Sequence, residues 1–148
     1  MLNTGEPILG FSGDYRWLSN FAPVGIILDD VEYPSVEHAY VAAKCNDISD
    51  RHVILGMPAG QAKRYGKMIA IAPWFEENKV NIMNEFLWQK FLTEPYMSLL
   101  VGTDGRYIEE TNIWGDKFWG VCDGVGENRL GILIMQIRDS LVDRLEST

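Results

Sequence analysis

The chain has 148 residues, 47% apolar and 23% charged, the balance of a soluble globular protein long enough to bury one core. Its net charge of −8, from 13 Lys and Arg against 21 Asp and Glu, argues against non-specific wrapping of a phosphate backbone, which takes a basic stripe, though not against a local pocket for one phosphate. Two cysteines, Cys45 and Cys122, lack CxxC spacing and so argue against both a disulfide framework and a zinc site.

In chain order, Phe11 to Asn20 reads as a strand or turn around Gly13-Asp14. Val24 to Tyr33 alternates loosely about Asp29-Asp30, the pattern of a hairpin. Ser35 suits the N-cap of a helix running toward Asn46, with Val36, Tyr40, Val41 and Lys44 along it. Pro58 fits the first turn of a helix reaching about Met68. Pro73 precedes a longer helix from Trp74 to Leu92, where Val80, Met83, Phe86, Leu87 and Phe91 recur at helical spacing. A shorter helix follows Glu94 and stops at Gly102, a candidate C-terminal glycine. A short strand is expected around Arg106 to Ile108. The last helix, Arg129 to Leu145, carries Leu130, Leu133, Ile134, Ile137, Leu141 and Leu145 on one core-facing stripe.

These elements predict a mainly α fold, α+β with a few short strands. No Ser/Gly-rich linker, repeat or low-complexity tract interrupts them, so one domain over residues 1–148 is expected. No apolar run reaches the roughly 18 residues of a membrane span, and the first ten residues lack a signal-peptide pattern. The expected compartment is the cytoplasm, with both cysteines as small buried residues in reducing surroundings.

Chemistry gathers just before predicted helix starts. If Ser35 is an N-cap, Glu37 lies in the first helical turn, where the macrodipole stabilises an exposed anion by about 0.3–1 kcal/mol. That position serves a carboxylate facing a developing cation and equally one that merely complements the dipole. His38 points to a different face from Glu37 and reads as a hydrogen-bonding or core histidine. Lys44, two turns beyond Glu37, could meet a phosphate or simply face solvent. Glu109, Asn112, Asp116 and Asn128 share a stretch with Trp114, Trp119 and the glycines at 115, 120, 124 and 126. Phe118-Trp119 offers a stacking face for a base, worth about 1–3 kcal/mol by analogy with nucleic-acid binders. Gly124-Val125-Gly126 lacks the dinucleotide spacing, yet precedes the helix at Asn128-Arg129; it suits either an anion at a helix N-terminus or an ordinary turn. On their own, Trp74 reads as core and Lys79 as solvent-facing.

The order Leu18-Ser19-Asn20-Phe21, Tyr33-Pro34-Ser35-Val36-Glu37-His38-Ala39-Tyr40, Trp74, Lys79, Met83, Lys90-Phe91, Glu109, Asn112, Asp116, Phe118-Trp119-Gly120 and Asn128-Arg129-Leu130-Gly131 resembles the NADAR family, also termed YbiA-like. The likeness runs from about Phe11 to Leu141. It implies a mostly helical domain and N-glycosidase activity, either on early riboflavin-pathway intermediates or in ADP-ribose chemistry that includes removal of ADP-ribose from guanine in nucleic acid. By matching motif positions it implies that Glu37 and Asp116 are the catalytic carboxylates. Trp74 and Trp119 become pocket aromatics, and Asn20, Lys44, Lys79, Asn128 and Arg129 become substrate or phosphate contacts. One departure is Val41, where relatives commonly carry a glutamine.

An N-glycosidic bond breaks through a ribosyl cation while negative charge builds on the departing base, so two acids fit the chemistry by analogy with glycoside hydrolysis. No cofactor or metal is implied. Three readings follow: an N-glycosidase on a small ribosylated nucleotide, an enzyme acting on ADP-ribosylated nucleic acid, and a non-catalytic module binding NAD or ADP-ribose.

Overall fold

The computed structural model describes residues 5–147. In chain order its elements are β1 (Ile8–Leu9), a 3-10 helix (Gly13–Leu18), β2 (Pro23–Leu28), β3 (Val31–Ser35), α1 (Val36–Lys44), α2 (Ile48–Leu55), α3 (Ala59–Tyr65), α4 (Phe75–Phe91), α5 (Tyr96–Val101), β4 (Ile108–Glu109), β5 (Thr111–Asn112), β6 (Val121–Cys122) and α6 (Arg129–Glu146). The fold class is therefore mainly helical α+β with short strands. Backbone contacts group the chain into two units: Asn20–Lys90, and the two flanking segments up to Ser19 and from Phe91 onward.

The Asn20–Lys90 unit begins with the β2–β3 hairpin. Its turn residues Asp29 and Asp30 both have positive φ, 49° and 66°, the geometry that lets a two-residue loop follow the strand twist. Ile26 pairs with Tyr33 across the ladder and both are buried. The outward backbone edge of β2 is covered by a side chain. Gln89 Nε2 donates to the Ile27 carbonyl at 2.9 Å, and its Oε1 accepts from the Ile27 N–H at 2.7 Å, so the amide stands in for a strand partner. Directly after β3, Ser35 caps α1, its Oγ accepting from His38 N–H at 3.1 Å. His38 is buried between Ser35 Oγ and the Met57 carbonyl, each 2.6 Å from a ring nitrogen, so it is the core histidine that the sequence predicts.

Small residues let α1 be packed closely by its neighbours: Ala39, Ala42 and Ala43 are all essentially inaccessible. Val41 belongs to the cluster with Cys45, Ile54 and Ala62. A Cβ on Gly66 would lie 2.9 Å from a Val41 methyl, so the glycine makes room for the branched side chain. Helix α2 is not anticipated by the sequence pattern. Asp47 caps it through Ser49 N–H at 3.0 Å, but Ile54 is its one buried residue, so no apolar stripe marks it. Pro58 is the N-cap of α3, one position before the helix. The predicted central helix is α4, with Met83, Phe86, Leu87 and Phe91 buried. Its start is stapled to the end of α1: Ala72 N–H donates to the Lys44 carbonyl at 2.9 Å, Asn46 N–H to Ala70 at 3.0 Å, and the Phe75 ring meets Tyr40 edge-on at 5.2 Å.

In the other unit β1 pairs in parallel with β4 (Ile8 with Ile108), and β5 in parallel with β6. Within the 11–20 segment, where a strand or turn is expected, a 3-10 helix runs over Gly13–Leu18. The Arg106 guanidinium lies over the Tyr15 ring, 5.3 Å from its centroid, a long-range contact with no local signature. Helix α6 buries Leu130, Ile134, Ile137 and Leu141, whereas Leu145 at the end of the predicted stripe is exposed. The Arg138 guanidinium beneath it is buried and donates to the carbonyls of Thr103 and Arg106. Gly102 follows α5 but keeps right-handed φ, −63°, so it is no left-handed terminator. Among the described residues, no helix is long and apolar enough to cross a membrane.

Candidate functional site

Four of the sequence-predicted residues, Asn20, Glu37, Lys44 and Lys79, lie on or beside α1 and α4, two helices joined by backbone bonds. Glu37, in the first turn of α1, is part-buried and donates its backbone N–H to the Asn20 carbonyl at 3.0 Å. Asn20 is thus tied to the helix start. Its Nδ2 lies 3.7 Å from Met83 Sδ, and its Oδ1 is buried without a hydrogen bond. Such an orphan acceptor costs about 1–3 kcal/mol unless something answers it. Lys44 sits two turns along α1. Burial draws its ammonium below the ordinary lysine value; the Glu37 carboxylate opposes this most strongly, Lys67 adds to it, and Glu76 works against it. Lys79 is ion-paired with Glu76 one turn earlier on α4. Glu76 has no place in the sequence reading, although its i,i+3 spacing to Lys79 was the available signal.

Trp74 precedes α4 and is 45% exposed, not the core residue that its composition alone suggests. Its ring is 6.4 Å from Phe75, and its carbonyl accepts from Asn78 Nδ2 at 2.8 Å. It borders an open cavity of about 580 Å³ whose walls include Ile82, Phe86, Asn81 and Arg51.

The remaining candidates lie together in the other unit. Asp116 Oδ1 accepts from the N–H groups of Phe118 at 3.1 Å and Trp119 at 2.9 Å, so the carboxylate shapes the turn that presents the two rings. Those rings meet at 4.9 Å, nearly perpendicular. Asn112, buried beneath, accepts from Asp116 N–H at 3.0 Å and donates to its carbonyl at 2.8 Å and to the Glu110 carboxylate at 3.0 Å. Gly120 cannot be replaced cheaply here, since a Cβ would lie 2.1 Å from the Glu110 carbonyl.

At the start of α6 the geometry differs from the sequence expectation. Asn128 is buried with left-handed φ, 51°. Its Oδ1 accepts from Glu110 N–H at 3.0 Å and its Nδ2 donates to the Ile108 carbonyl at 2.9 Å. The side chain stitches β4 to α6 and presents no polar atom outward for a ligand. The first amides of α6 are also engaged, Arg129 N–H with Phe118 O at 3.1 Å and Leu130 N–H with Trp119 O at 2.9 Å. An anion held by this helix N-terminus would have to displace them, which corrects the expectation of a phosphate there. Arg129 is half-exposed, paired with Glu127 at 2.9 Å and lying over the Phe118 ring at 5.5 Å. Among the described residues no cluster of His, Cys, Asp or Glu could hold a metal ion.

The NADAR domain model matches residues 10–142, and the chain belongs to that family. It is similar to the N-glycosidase YbiA of Escherichia coli, 32% identical over 136 residues, 88% of this chain and 84% of that one. An N-glycosidase of Nostoc punctiforme is 29% identical over 141 residues, 90% of each chain. A riboflavin biosynthesis protein of Vibrio vulnificus is 31% identical over 144 residues, 92% of this chain and 39% of that protein; the chain thus spans well under half of that relative. The NMR structure of Escherichia coli YbiA superposes with a TM-score of 0.81 at 31% identity, covering 99% of this chain and 90% of that one.

Proposed function

We propose that the protein is a hydrolase of N-glycosyl bonds whose substrate is a small ribosylated nucleotide, either a riboflavin-pathway intermediate or an ADP-ribose-type derivative. The names of its relatives support the reaction class. The observation that carries the reading is the join of α1 and α4, where the Glu37 and Glu76 charges both act on Lys44 and Glu76 pairs with Lys79.

In this reading water adds to the anomeric carbon as the bond from that carbon to the base nitrogen breaks. The bonding electron pair leaves with the base, which takes up a proton. Glu37 faces the ribosyl cation as a carboxylate or accepts the proton of the attacking water. Asp116 holds the Phe118-Trp119 turn with one oxygen and offers the other to water or a ribose hydroxyl. In the Asn20–Lys90 unit Trp74 supplies a face for the base and Lys44 and Lys79 cations for phosphate; in the other unit the family resemblance implies a pocket role for Trp119 and a phosphate contact for Arg129. The unmatched Oδ1 of Asn20 is an acceptor for a sugar hydroxyl. Asn128 is left out, because its polar atoms are spent within the fold.

Incubation with riboflavin-pathway intermediates, ADP-ribose and NAD should release free base from one of them, together with the matching sugar product: ribose phosphate from a riboflavin-pathway intermediate, ADP-ribose from NAD. Glu37→Gln should lower that rate by about 10²–10³ while leaving the melting temperature in place. A Glu37→Gln protein as fast as the parent would remove this residue from the chemistry, and absence of base release from every substrate would remove the hydrolase reading.

A further inference from the structure

We infer that Glu76 is an internal counter-ion at a phosphate site, pairing with Lys79 and felt at Lys44 until an incoming phosphate displaces it. This rests on the phosphate role proposed above for Lys44 and Lys79.

The chain brings the groups together by backbone, not by chance surface contact. The Ala72 N–H bond to the Lys44 carbonyl and the Phe75–Tyr40 ring contact set the first turn of α4 against the end of α1. Glu76 lies in that first turn, and Lys44 closes α1. Glu76 pairs with Lys79, and its charge is also felt at Lys44, together with those of Glu37 and Lys67.

The two partners of the ion pair are unequally held. The Lys79 side chain is only 20% exposed, whereas that of Glu76 is 74% exposed. The ammonium is therefore the anchored member, and the carboxylate can swing into water with little lost packing. A phosphate dianion exceeds the carboxylate in charge and in acceptor oxygens, and Lys44, which feels the Glu76 charge, would feel the extra charge as well. While no phosphate is present, Glu76 offsets the charge of Lys79 directly and adds its negative charge to the surroundings of Lys44. Exposed pairs of this kind are weak enough to exchange, changing a binding constant by roughly two- to fivefold.

The test is an NMR titration of the full chain with inorganic phosphate, comparing the parent, Glu76→Gln and Glu77→Gln. Glu77 is exposed in the same turn, so its variant carries the same change in net charge without touching the pair. Glu76→Gln should bind phosphate roughly two- to fivefold more tightly, with shifts at Lys44 and Lys79, and Glu77→Gln should match the parent. Equal tightening in both variants would overturn the proposal by reducing it to net charge. So would no change in Glu76→Gln, or no phosphate binding in any of the three. Phosphate is not turned over, so a failed glycosidase assay leaves this outcome standing, and an unchanged titration leaves the hydrolase reading standing.

Discussion

Asp116 shows how one side chain can hold two roles that substitution can separate. Its Oδ1 anchors the Phe118 and Trp119 amides, a job for any acceptor oxygen, whereas the chemistry proposed for it needs the negative charge. Asp116→Asn keeps an acceptor in place and removes the charge; Asp116→Ala removes both. The expected result is that Asn loses turnover with an unchanged urea midpoint, and that Ala loses turnover and about 1–3 kcal/mol of stability. An Asp116→Asn enzyme with parental rates would leave this residue a purely structural anchor. The same logic explains why Asn128 misleads as a sequence letter. An asparagine before a helix after two glycines suggests a ligand contact, but whether its amide faces outward depends on carbonyls near Ile108 and Glu110, about twenty residues away in the chain. Spacing along the chain carries no record of that pairing.

At the scale of elements, legibility followed periodicity and capping. The hairpin, α1, α4 and α6 could be read because turn residues, caps or apolar stripes mark them. The cap of α1 does double duty: Ser35 Oγ meets both the His38 amide and its ring. Ser35→Ala should therefore lower stability by about 1–2 kcal/mol, seen as a shifted urea midpoint with its slope retained; a shift below a few tenths would show that water replaces the hydroxyl. The elements that escaped have physical reasons. Helix α2 exposes Ile48 and Val53 and buries only Ile54, leaving no stripe to detect. The 3-10 helix leans on Arg106, an interaction visible only after folding. Glu76 escaped for the opposite reason: a Glu–Lys pair on a helix is so ordinary in sequence that only its neighbourhood with Lys44 gives it meaning.

For the molecule as a whole, the family match extends through both contact units, from residue 10 to 142, while the sequence, with no linker, gave no hint of a division. A global property that the sequence could not foretell is the burial of Lys90, wholly inaccessible in α4 and drawn down to about 7 by desolvation. Between that value and the ordinary lysine range near 10.5, the unfolded chain binds this proton and the folded chain does not. Unfolding free energy must then rise with pH across this interval as far as Lys90 is concerned. Cys45, pushed up to about 11 by burial, works in the opposite sense but only above about 9. Urea midpoints measured from pH 7 to 9 should climb, and Lys90→Met should flatten the climb. A parental slope in that variant would show that another group titrates there.

The parallel pairing of Ile8 with Ile108 has a consequence for how the polypeptide must come into being. The strand at Ile8–Leu9 finds its ladder only after about a hundred more residues have been made, whereas everything needed for the Asn20–Lys90 contacts has by then been synthesised. Closing so long a loop is slow compared with forming local helices. The segment around Ile8 is thus among the last to be locked, its backbone edge waiting unpaired until the residues around Ile108 arrive.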